Sequence, residues 1–253
     1  MIDPRTSIIT KRLSKIRHIV AVTSGKGGVG KSMVSTALAL SLARKGWRVG
    51  LFDIDFTGPS THINLGVPRS VQPKEDKGLV PAKVEGLEYM SLVYFVAGKA
   101  TPLRGSDVSN TLIELLAVTQ WGELDYLIID MPPGIGDPVL DLVRLVEHIE
   151  FLIVTTPSLL AFDVVKKQVE VLSELKMPIV GIVENMHRDN TDFIKTEADK
   201  LNIKYLGAVG YDAAVEDSIG KPQKLLDIMG ASLDKIEQAA WTELCNGMSR
   251  NHL

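Results

Sequence analysis

Short runs rich in Val, Ile and Leu recur along the chain, separated by segments whose apolar residues follow helical spacing. The runs are His18–Gly25, Arg48–Asp55, Leu124–Pro133, Phe151–Pro157, Ile179–Asn185 and Tyr205–Gly210, and Gly or Pro punctuates most of them. Runs that are apolar throughout are typical of strands buried on both faces. Strands that alternate with helices join through right-handed crossovers into a parallel sheet. The sequence therefore predicts a three-layer α/β fold with a mostly parallel central sheet flanked by helices.

The composition is that of a globular protein, since 45% of the 253 residues are apolar and 23% are charged. We expect a single domain over residues 1–253, with a basic segment at 1–17 and a helical segment at 223–253. The stretch Pro68–Lys83 contains three prolines and several charges. It predicts a long loop within the domain rather than a boundary between two domains.

Charge and cysteine content exclude several classes of protein. The net charge is -3, with 28 basic and 31 acidic residues, so no global positive field attracts nucleic acid or anionic lipid. Cys245 is the one cysteine, which excludes an internal disulfide and a metal site built from several thiolates of one subunit. Neither a secretory address nor an apolar run of spanning length is visible. We therefore expect a cytoplasmic protein.

The segment SGKGGVGKS, Ser24 to Ser32, has the spacing of a phosphate-binding loop, G-x-x-x-x-G-K-[ST]. It follows a predicted strand and precedes the helical pattern Met33–Gly46, which is the context that the motif requires. Backbone N–H groups of such a loop turn inward onto phosphates, Lys31 supplies a charge for the outer phosphates, and Ser32 is a ligand for Mg²⁺. The expected nucleotide-binding residues are Gly25, Lys26, Gly27, Gly28, Val29, Gly30, Lys31, Ser32 and Met33. The alternative is a glycine-rich turn that binds nothing.

Three carboxylates end predicted strands where a magnesium nucleotide would need them. Asp130 ends an otherwise apolar strand, and a buried carboxylate is costly unless it is paired or faces a cation. Asp53 and Asp55 are two residues apart, which places them on the same face of the second strand. Either could hold a metal-bound water while the other positions or deprotonates the attacking water. The alternative for each is a capping or turn aspartate.

The choice of base is indicated by Asn185. A GTPase of this architecture would carry an N-K-x-D word after a late strand, whereas Asn185 is followed by Met186, His187 and Arg188. An Asn without the later Asp favours adenine.

The loop has an additional lysine, Lys26, and in this it resembles the deviant Walker A loop of the MinD/ParA superfamily of P-loop ATPases. Within that group the chain is similar to the Mrp (ApbC-like) branch. The similar blocks, in the same order, are DIDFTGPS, RGSDVSNTL, WGELDYLIIDMPPGIGD, VTTPS, GIVENM and a late GKP. The resemblance extends from about His18 to Pro222.

This resemblance implies a Mg²⁺-dependent ATPase, slow and regulated by a partner, that closes as a homodimer over two ATP molecules. Lys26 would act in trans on the phosphates of the partner subunit, and Lys31 on those of its own. Asp55 would lie near the catalytic water, Asp53, Asp130 and Ser32 near Mg²⁺, and Asn185 at the adenine. Asp137 would belong to a switch segment that moves when the terminal phosphate is lost. The alternative for Lys26 is a solvated loop lysine.

The chain departs from the branch after Asn185. Iron-sulfur carriers of this kind usually follow the ENM word with a Cys-Pro-x-Cys pair, and the same place here reads ENMHRDNTDF. Two copies of Cys245 cannot fill the four positions of a cluster, so we expect no bound cluster from the chain's own cysteines. His187 with Asp189 and Asp192 could bind a divalent metal, although such a loop is more often solvated. Smaller departures are Ser106 and Asp107.

Three functional classes remain open. The first is an ATPase of metal-centre assembly, of the iron-sulfur or the nickel-iron hydrogenase maturation type, with a metalloprotein client or metallochaperone as partner. The second is a positional switch of the MinD or ParA kind that acts on membrane or DNA. The segment Ser232–Met248 carries acidic residues and predicts a helix packed on the body, which argues against membrane. Four basic residues of a predicted N-terminal surface helix, Lys11, Arg12, Lys15 and Arg17, could touch DNA or lipid. The third class is an enzyme that phosphorylates a small molecule.

Overall fold

The computed structural model describes residues 3–68, 70–95, 105–188 and 191–241. The strands are β1 Ile16–Ser24, β2 Val49–Asp53, β3 Lys74–Glu75, β4 Leu79–Val80, β5 Ala82–Val84, β6 Leu87–Ser91, β7 Leu124–Asp130, β8 Ile149–Thr155, β9 Ile179–His187 and β10 Tyr205–Gly210. The α-helices are α1 Arg5–Leu13, α2 Lys31–Arg44, α3 Thr61–Asn64, α4 Gly105–Val118, α5 Asp137–Leu145, α6 Leu159–Glu174, α7 Phe193–Lys200 and α8 Pro222–Ala240.

The central sheet has the strand order β10-β9-β8-β1-β7-β2-β6-β5. Its neighbouring strands are parallel except at one edge, where β5 pairs antiparallel with β6. The predicted three-layer α/β fold with a mostly parallel sheet is confirmed. Register brings the predicted site together, because Asp130 of β7 lies opposite Asp53 of β2 on one side and opposite Val22 of β1 on the other.

Two apolar clusters cover the two faces of the sheet. Ile19 and Ala21 of β1 point into one cluster, whereas Val20 and Val22 point into the other. The first cluster includes residues of α1, α4, α5, α6 and α7, and the second includes residues of α2 and α8. This burial on both faces explains why the strands are apolar throughout instead of alternating.

Helix α2 follows the phosphate-binding loop and is apolar on most sides, because it lies between the sheet and α8. It ends at Arg44, two residues before the end of the predicted pattern Met33–Gly46. Gly46 has φ of +89°, the Gly46 N–H donates to the Ala43 oxygen, and the Trp47 N–H donates to the Leu42 oxygen. These two hydrogen bonds form a Schellman motif, in which glycine accepts the left-handed conformation without a Cβ clash.

The C-terminal helix is packed on the body as predicted, but its bounds differ. Helix α8 begins at Pro222, and its residues Leu225 and Leu233 are fully buried. It ends at Ala240, because Trp241 takes an extended conformation with φ of −129°. Lys45 forms ion pairs with Asp234 and Glu237 of this helix. The rest of the predicted helix, including Cys245, lies outside the described residues.

Two further predictions were wrong in detail. The long loop expected over Pro68–Lys83 contains the antiparallel pair β3–β4 and the start of β5, and β6 was missed altogether. The four basic residues expected on one surface helix are divided, since α1 ends at Leu13 and Arg17 lies in β1. Arg12 of α1 donates a hydrogen bond to the Ala117 oxygen of α4. None of the helices in the described ranges has the length and apolar character to cross a bilayer.

Candidate functional site

The loop between β1 and α2 has a backbone that leaves its N–H groups available to a ligand. Gly28 and Gly30 have φ of +81° and +79°, conformations that favour glycine. Gly30 precedes the first turn of α2 and, as a glycine, has no side chain with which to cap that helix end. The first N–H groups of a helix have no intrahelical partner and carry its positive end. The loop therefore offers unpaired donors and a favourable dipole to an anion.

A cavity of about 400 Å³ lies over this loop, and we call it the phosphate-side cavity. It is lined by the predicted loop residues Lys26, Gly27, Gly28, Val29, Gly30, Lys31, Ser32 and Met33, together with Asp55. Ser24, Thr57, Gly58, Ser60, Asn64 and Pro133 complete its lining. Gly25 is outside the lining because α6 packs on it: a Cβ at Gly25 would lie 3.0 Å from the Cβ of Val164.

Lys31 is buried and held by two carboxylates. Its Nζ lies 2.8 Å from Oδ1 of Asp130 and 3.4 Å from Oδ2 of Asp55, and its side chain is only 6% exposed. The Ser35 hydroxyl donates a second hydrogen bond to the same Asp130 oxygen, at 2.8 Å. The lysine charge is thus neutralised inside the protein before any ligand arrives.

Asp53 is fully buried and does not line the phosphate-side cavity. Its Oδ1 accepts a hydrogen bond from the Asp55 N–H at 3.1 Å, and its Oδ2 accepts from the N–H and hydroxyl of Thr61 at 3.1 and 2.7 Å. Burial and the nearby Asp130 raise the pKa of Asp53 to about 7. The carboxyl is therefore a fixed anchor for α3, one layer behind the cavity.

Asp130 is fully buried as well, and burial raises its pKa in spite of the opposing pull of Lys31. One of its oxygens, Oδ2, accepts no hydrogen bond within the described residues. A buried carboxylate oxygen without a partner is costly. Asp130 is therefore the group at this site most in need of a further cation or donor.

Asp55 does reach the cavity. Its Oδ1 accepts hydrogen bonds from the Thr57 N–H at 3.0 Å and the Gly58 N–H at 3.3 Å, which is the turn geometry that the sequence left as an alternative. Its Oδ2 faces Lys31. Although Asp53 and Asp55 were expected on one face, the chain turns after Asp53, so that Asp55 lines the cavity and Asp53 does not.

The residues present fit a magnesium ion that is shared with phosphates. The ranges that the structure describes contain no cluster of three or more His, Cys, Asp or Glu side chains able to hold a metal ion. Mg²⁺ is usually held by one or two carboxylates together with substrate phosphates and water. Ser32 lines the cavity. Asp130 does not line it, but its Oδ1 contacts the cavity-lining Lys31 and its Oδ2 has no partner among the described residues, a donor set that agrees with this mode and not with a closed protein cage.

Lys26 is an exposed residue at the rim of the phosphate-side cavity. Its backbone oxygen accepts a hydrogen bond from the Ser24 hydroxyl at 3.0 Å. Its ammonium group has no ion-pair partner among the described residues. The two lysines of this loop therefore have different environments. The ammonium group of Lys26 is exposed to solvent, whereas that of Lys31 is buried and paired with carboxylates.

Asn185 connects the phosphate loop to a second cavity of about 220 Å³, which we call the base-side cavity. Asn185 Nδ2 donates to the Val29 oxygen at 2.9 Å. Gly30 and Met33 line both cavities, so the two are neighbours across the first turn of α2. Sequence reasoning found Asn185 and Met33 but missed the remaining lining residues, which are Met186, Val209, Gly210, Tyr211, Asp212, Ala213, Val215, Glu216 and Met229. The GIVENM block contains Met186, and the predicted strand Tyr205–Gly210 contains Val209 and Gly210, but neither pattern identified these residues as part of a site.

The segment where the chain departs from the Mrp pattern forms the end of β9. His187 Nδ1 lies 2.9 Å from Oε1 of the buried Glu184, and Arg188 stacks on the ring of Tyr211. Asp189, named with His187 and Asp192 as a metal alternative, lies outside the described residues. Asp137 is exposed at the start of α5, and Asp107 is exposed in α4, the helix that also contains Ser106.

A family model described as ParA, NUBPL iron-transfer P-loop NTPase, matches residues 15–241 of the chain. An iron-sulfur cluster carrier protein of Pseudomonas fragi is 46% identical over 178 residues, which are 69% of this chain and 62% of that protein. An iron-sulfur cluster carrier protein of Methanococcus maripaludis is 36% identical over 250 residues, 90% of this chain and 85% of that protein. A chloroplastic Fe-S cluster assembly factor of Arabidopsis thaliana, HCF101, is 45% identical over 188 residues, but the chain spans only 34% of its length.

Solved structures agree with this similarity. A nucleotide-binding protein of Archaeoglobus fulgidus, in complex with ADP, superposes with a TM-score of 0.73 and 31% identity over 87% of this chain and 92% of that one. The cell-division ATPase MinD of Pyrococcus furiosus has a TM-score of 0.64 at 21% identity, over 88% of this chain and 98% of that one. The second comparison supports the fold alone.

Proposed function

Because the chain belongs to the ParA family of NUBPL iron-transfer P-loop NTPases, we propose that it is a Mg²⁺-dependent homodimeric ATPase that acts in metal-centre assembly. The single observation that supports the ATPase part best is the buried Lys31. Its ammonium group is held at the N-terminus of α2, at the edge of a cavity lined by the phosphate loop and between two carboxylates.

Nucleotide binding at this site would replace the carboxylate partners of Lys31 with phosphate oxygens. In the structure its charge is neutralised by Asp130 and Asp55. When phosphates enter the cavity, Lys31 turns to them, and the N–H groups of the first turn of α2 donate to the same oxygens. Asp130 then needs another positive partner, since a buried carboxylate without one is strongly disfavoured. Its unpaired Oδ2 and the Ser32 hydroxyl would hold Mg²⁺ on this side, and that ion would neutralise charge as it develops on the outer phosphates.

Hydrolysis of ATP to ADP and phosphate requires a group that orients water at the terminal phosphate. Asp55 is the carboxylate that reaches the cavity, and its turn hydrogen bonds to Thr57 and Gly58 fix one oxygen while the other faces Lys31. Release of Lys31 to the phosphates frees Asp55 Oδ2 to accept a proton or a hydrogen bond from water. We assign Asp55 this role, and Asp53 the role of holding Asp55 and α3 in place.

The base-side cavity supports adenine because of how Asn185 is oriented. The Val29 oxygen accepts a hydrogen bond, so the atom of Asn185 that faces it must be the amide nitrogen. This leaves Oδ1 as a free acceptor, with no donor among the described residues. Adenine carries an exocyclic amino group that donates to such an oxygen, whereas the corresponding position of guanine is a carbonyl, which cannot donate.

The proposed dimer is supported by what lies exposed around the loop. Lys26 has a free charge at the cavity rim, and Leu159 and Leu160 at the start of α6 are 73% and 78% exposed. Helix α6 follows β8, which is the direct neighbour of β1, so these leucines lie at the same edge of the sheet as the loop. A second subunit that covers this edge would bury the leucines and bring its Lys26 to the phosphates. A cation delivered only on assembly would work as an arginine finger does.

The role in metal-centre assembly is supported by relatives named as iron-sulfur cluster carriers and assembly factors. The one cysteine of this sequence, Cys245, cannot supply the ligands of a shared cluster. We therefore propose that the metal is held by a partner, either an iron-sulfur protein or a nickel-iron hydrogenase precursor with its metallochaperone. The apolar stripe of α8 is buried against the body, which argues against the membrane helix of a positional switch.

The decisive experiment is affinity capture from native cytosol with Mg²⁺-ATP. The bait is the Asp55→Asn variant, which binds ATP but hydrolyses it poorly, and the matched control is Lys31→Ala, which lacks the phosphate contact. Bound proteins are identified by mass spectrometry, and bound nickel and iron are quantified. We expect a nickel or iron-sulfur maturation partner with the first bait and not with the second. DNA, lipid or a membrane protein without any metalloprotein would contradict the proposal and favour a positional switch.

A further inference from the structure

The end of β9 carries an arginine that is paired with an aromatic ring. The guanidinium carbon of Arg188 lies 3.9 Å from the centroid of the Tyr211 ring, well within the distance of about 6 Å at which cations attract aromatic faces. The Tyr211 N–H also donates to the His187 oxygen at 2.7 Å. The hydrogen bond therefore fixes the spacing between the two backbone segments, which keeps Tyr211 and Arg188 within contact distance of each other.

Tyr211 also lines the base-side cavity, where it is the aromatic member of the lining. The other side chains that shape this cavity are mostly apolar, and three of them are the methionines Met33, Met186 and Met229. Thioethers adapt to flat ligands because they are flexible and polarisable. The cavity is smaller than the pockets of drug-sized ligands, and its volume suits one heterocyclic group. The base-side cavity is therefore suited to a flat heterocyclic ring.

The exposure of Tyr211 is informative. The residue is 51% exposed, so the ring contributes little to the core. A cation–π contact at an exposed site is weak, yet the contact restricts the ring. A ring that is held still at the mouth of a cavity loses less entropy when a ligand stacks on it.

We propose that Tyr211 is a base-stacking residue of the nucleotide site and that Arg188 is its positioning residue. The inference rests on the proposed function, because it takes an adenine nucleotide to occupy both cavities. With one face of the ring on Arg188, the remaining face is available to the base. Asn185 supplies selectivity through its free oxygen, and Tyr211 supplies affinity, since every base has a face on which a ring can stack.

The test compares two ligands by titration calorimetry in the presence of Mg²⁺: ADP, which has a base, and inorganic tripolyphosphate, which does not. We expect Tyr211→Ala to weaken ADP binding by about tenfold, as the loss of one base–aromatic stack does elsewhere, and to leave tripolyphosphate binding unchanged. Tyr211→Phe keeps the ring and should bind ADP like the wild type. Phe95→Ala is the matched control, because Phe95 is 44% exposed and lines a different cavity.

The role of Arg188 is tested by non-additivity. Arg188→Ala should weaken ADP binding less than Tyr211→Ala does, Arg188→Lys should restore most of the loss, and Arg188→Ala should have no further effect when Tyr211 is already Ala. If the wild type binds ADP and Tyr211→Ala binds it equally well, the stacking role is wrong while the proposed function stands. If the wild type binds neither ADP nor tripolyphosphate, both are overturned.

Discussion

On the phosphate side of the site, four ionisable residues are buried and linked to one another, whereas on the base side the lining is mostly apolar and its two carboxylates, Asp212 and Glu216, are exposed. Lys31, Asp53, Asp55 and Asp130 are each less than a tenth exposed and are joined by ion pairs and hydrogen bonds. Around the base-side cavity, Asn185 donates to the loop, and the lining includes three methionines, two valines and Tyr211.

This difference indicates two modes of recognition. Buried charges must be paired in the absence of ligand as well as in its presence, so we expect the phosphate side to bind its ligand by exchanging the partners of Lys31. The base side has no such constraint, and there a ligand replaces water against apolar surface. Substitutions on the phosphate side should therefore affect catalysis, assembly and pH dependence, whereas substitutions on the base side should change affinity for the base and little else.

The largest effect is expected for Lys31→Ala. It removes the charge that neutralises the phosphates, and we expect loss of measurable ATP binding and hydrolysis, a change of at least about 100-fold in affinity. Fluorescence titration and phosphate release measure the two effects, and circular dichroism verifies that the variant is folded. Unchanged ATP affinity in a folded Lys31→Ala variant would show that this loop does not bind the phosphates. It would also contradict the proposed difference between phosphate-side and base-side recognition.

The next effect is expected for Lys26→Ala. Because Lys26 is exposed and has no ion pair within the part of the chain that the structure describes, the variant should bind ATP as a monomer with normal affinity. Its hydrolysis should fall by about 1000-fold, as when a finger residue is lost, and its ATP-dependent dimerisation should be lost in sedimentation experiments.

A mixing experiment separates action in trans from action in cis. Subunits with Lys26→Ala bind ATP but lack the finger, and subunits with Lys31→Ala keep Lys26 but lack bound ATP. Mixing the two should restore part of the hydrolysis if Lys26 reaches the partner's phosphates. Absence of any restoration, with mixed dimers demonstrated, would show that Lys26 does not act in trans.

The smallest effect is expected in the pH dependence of stability without nucleotide. Burial and Asp130 raise the pKa of Asp53 to about 7 from an ordinary value of 3.8, so the folded state binds more protons than the unfolded state between these values. The free energy of unfolding should therefore fall as pH rises from about 4 to 7. Asp53→Asn should make this slope shallower in denaturant titrations, and the base-side variant Asn185→Ala should leave it unchanged. An unaltered slope in Asp53→Asn would show that Asp53 is ionised in the folded state across this range.

The sequence by itself determined the features that depend on residues close together along the chain. A glycine-rich loop between an apolar strand and a helix, and aspartates that end apolar strands, are local patterns, and each predicted strand and the loop helix formed within three residues of its expected bounds. The family resemblance was likewise based on short local sequence blocks, and the family model confirms it. The strands β3, β4 and β5 escaped prediction because two or three residues are too few to show a period, and they owe their structure to pairing. Strand β6 is as long as β2, but Glu88 interrupts its apolar run.

Tertiary structure alone decided how these residues share the site. Lys31 and Asp130 are 99 residues apart in the chain, and their ion pair exists because β1 and β7 are neighbours in register. Asp53 was excluded from the cavity by Thr61, and Tyr211 was brought to Arg188 by the pairing of β9 with β10. A sequence shows which side chains carry charge, but the partner of a buried charge is set by strand register and packing, because the energy of that charge depends on every group within a few ångströms.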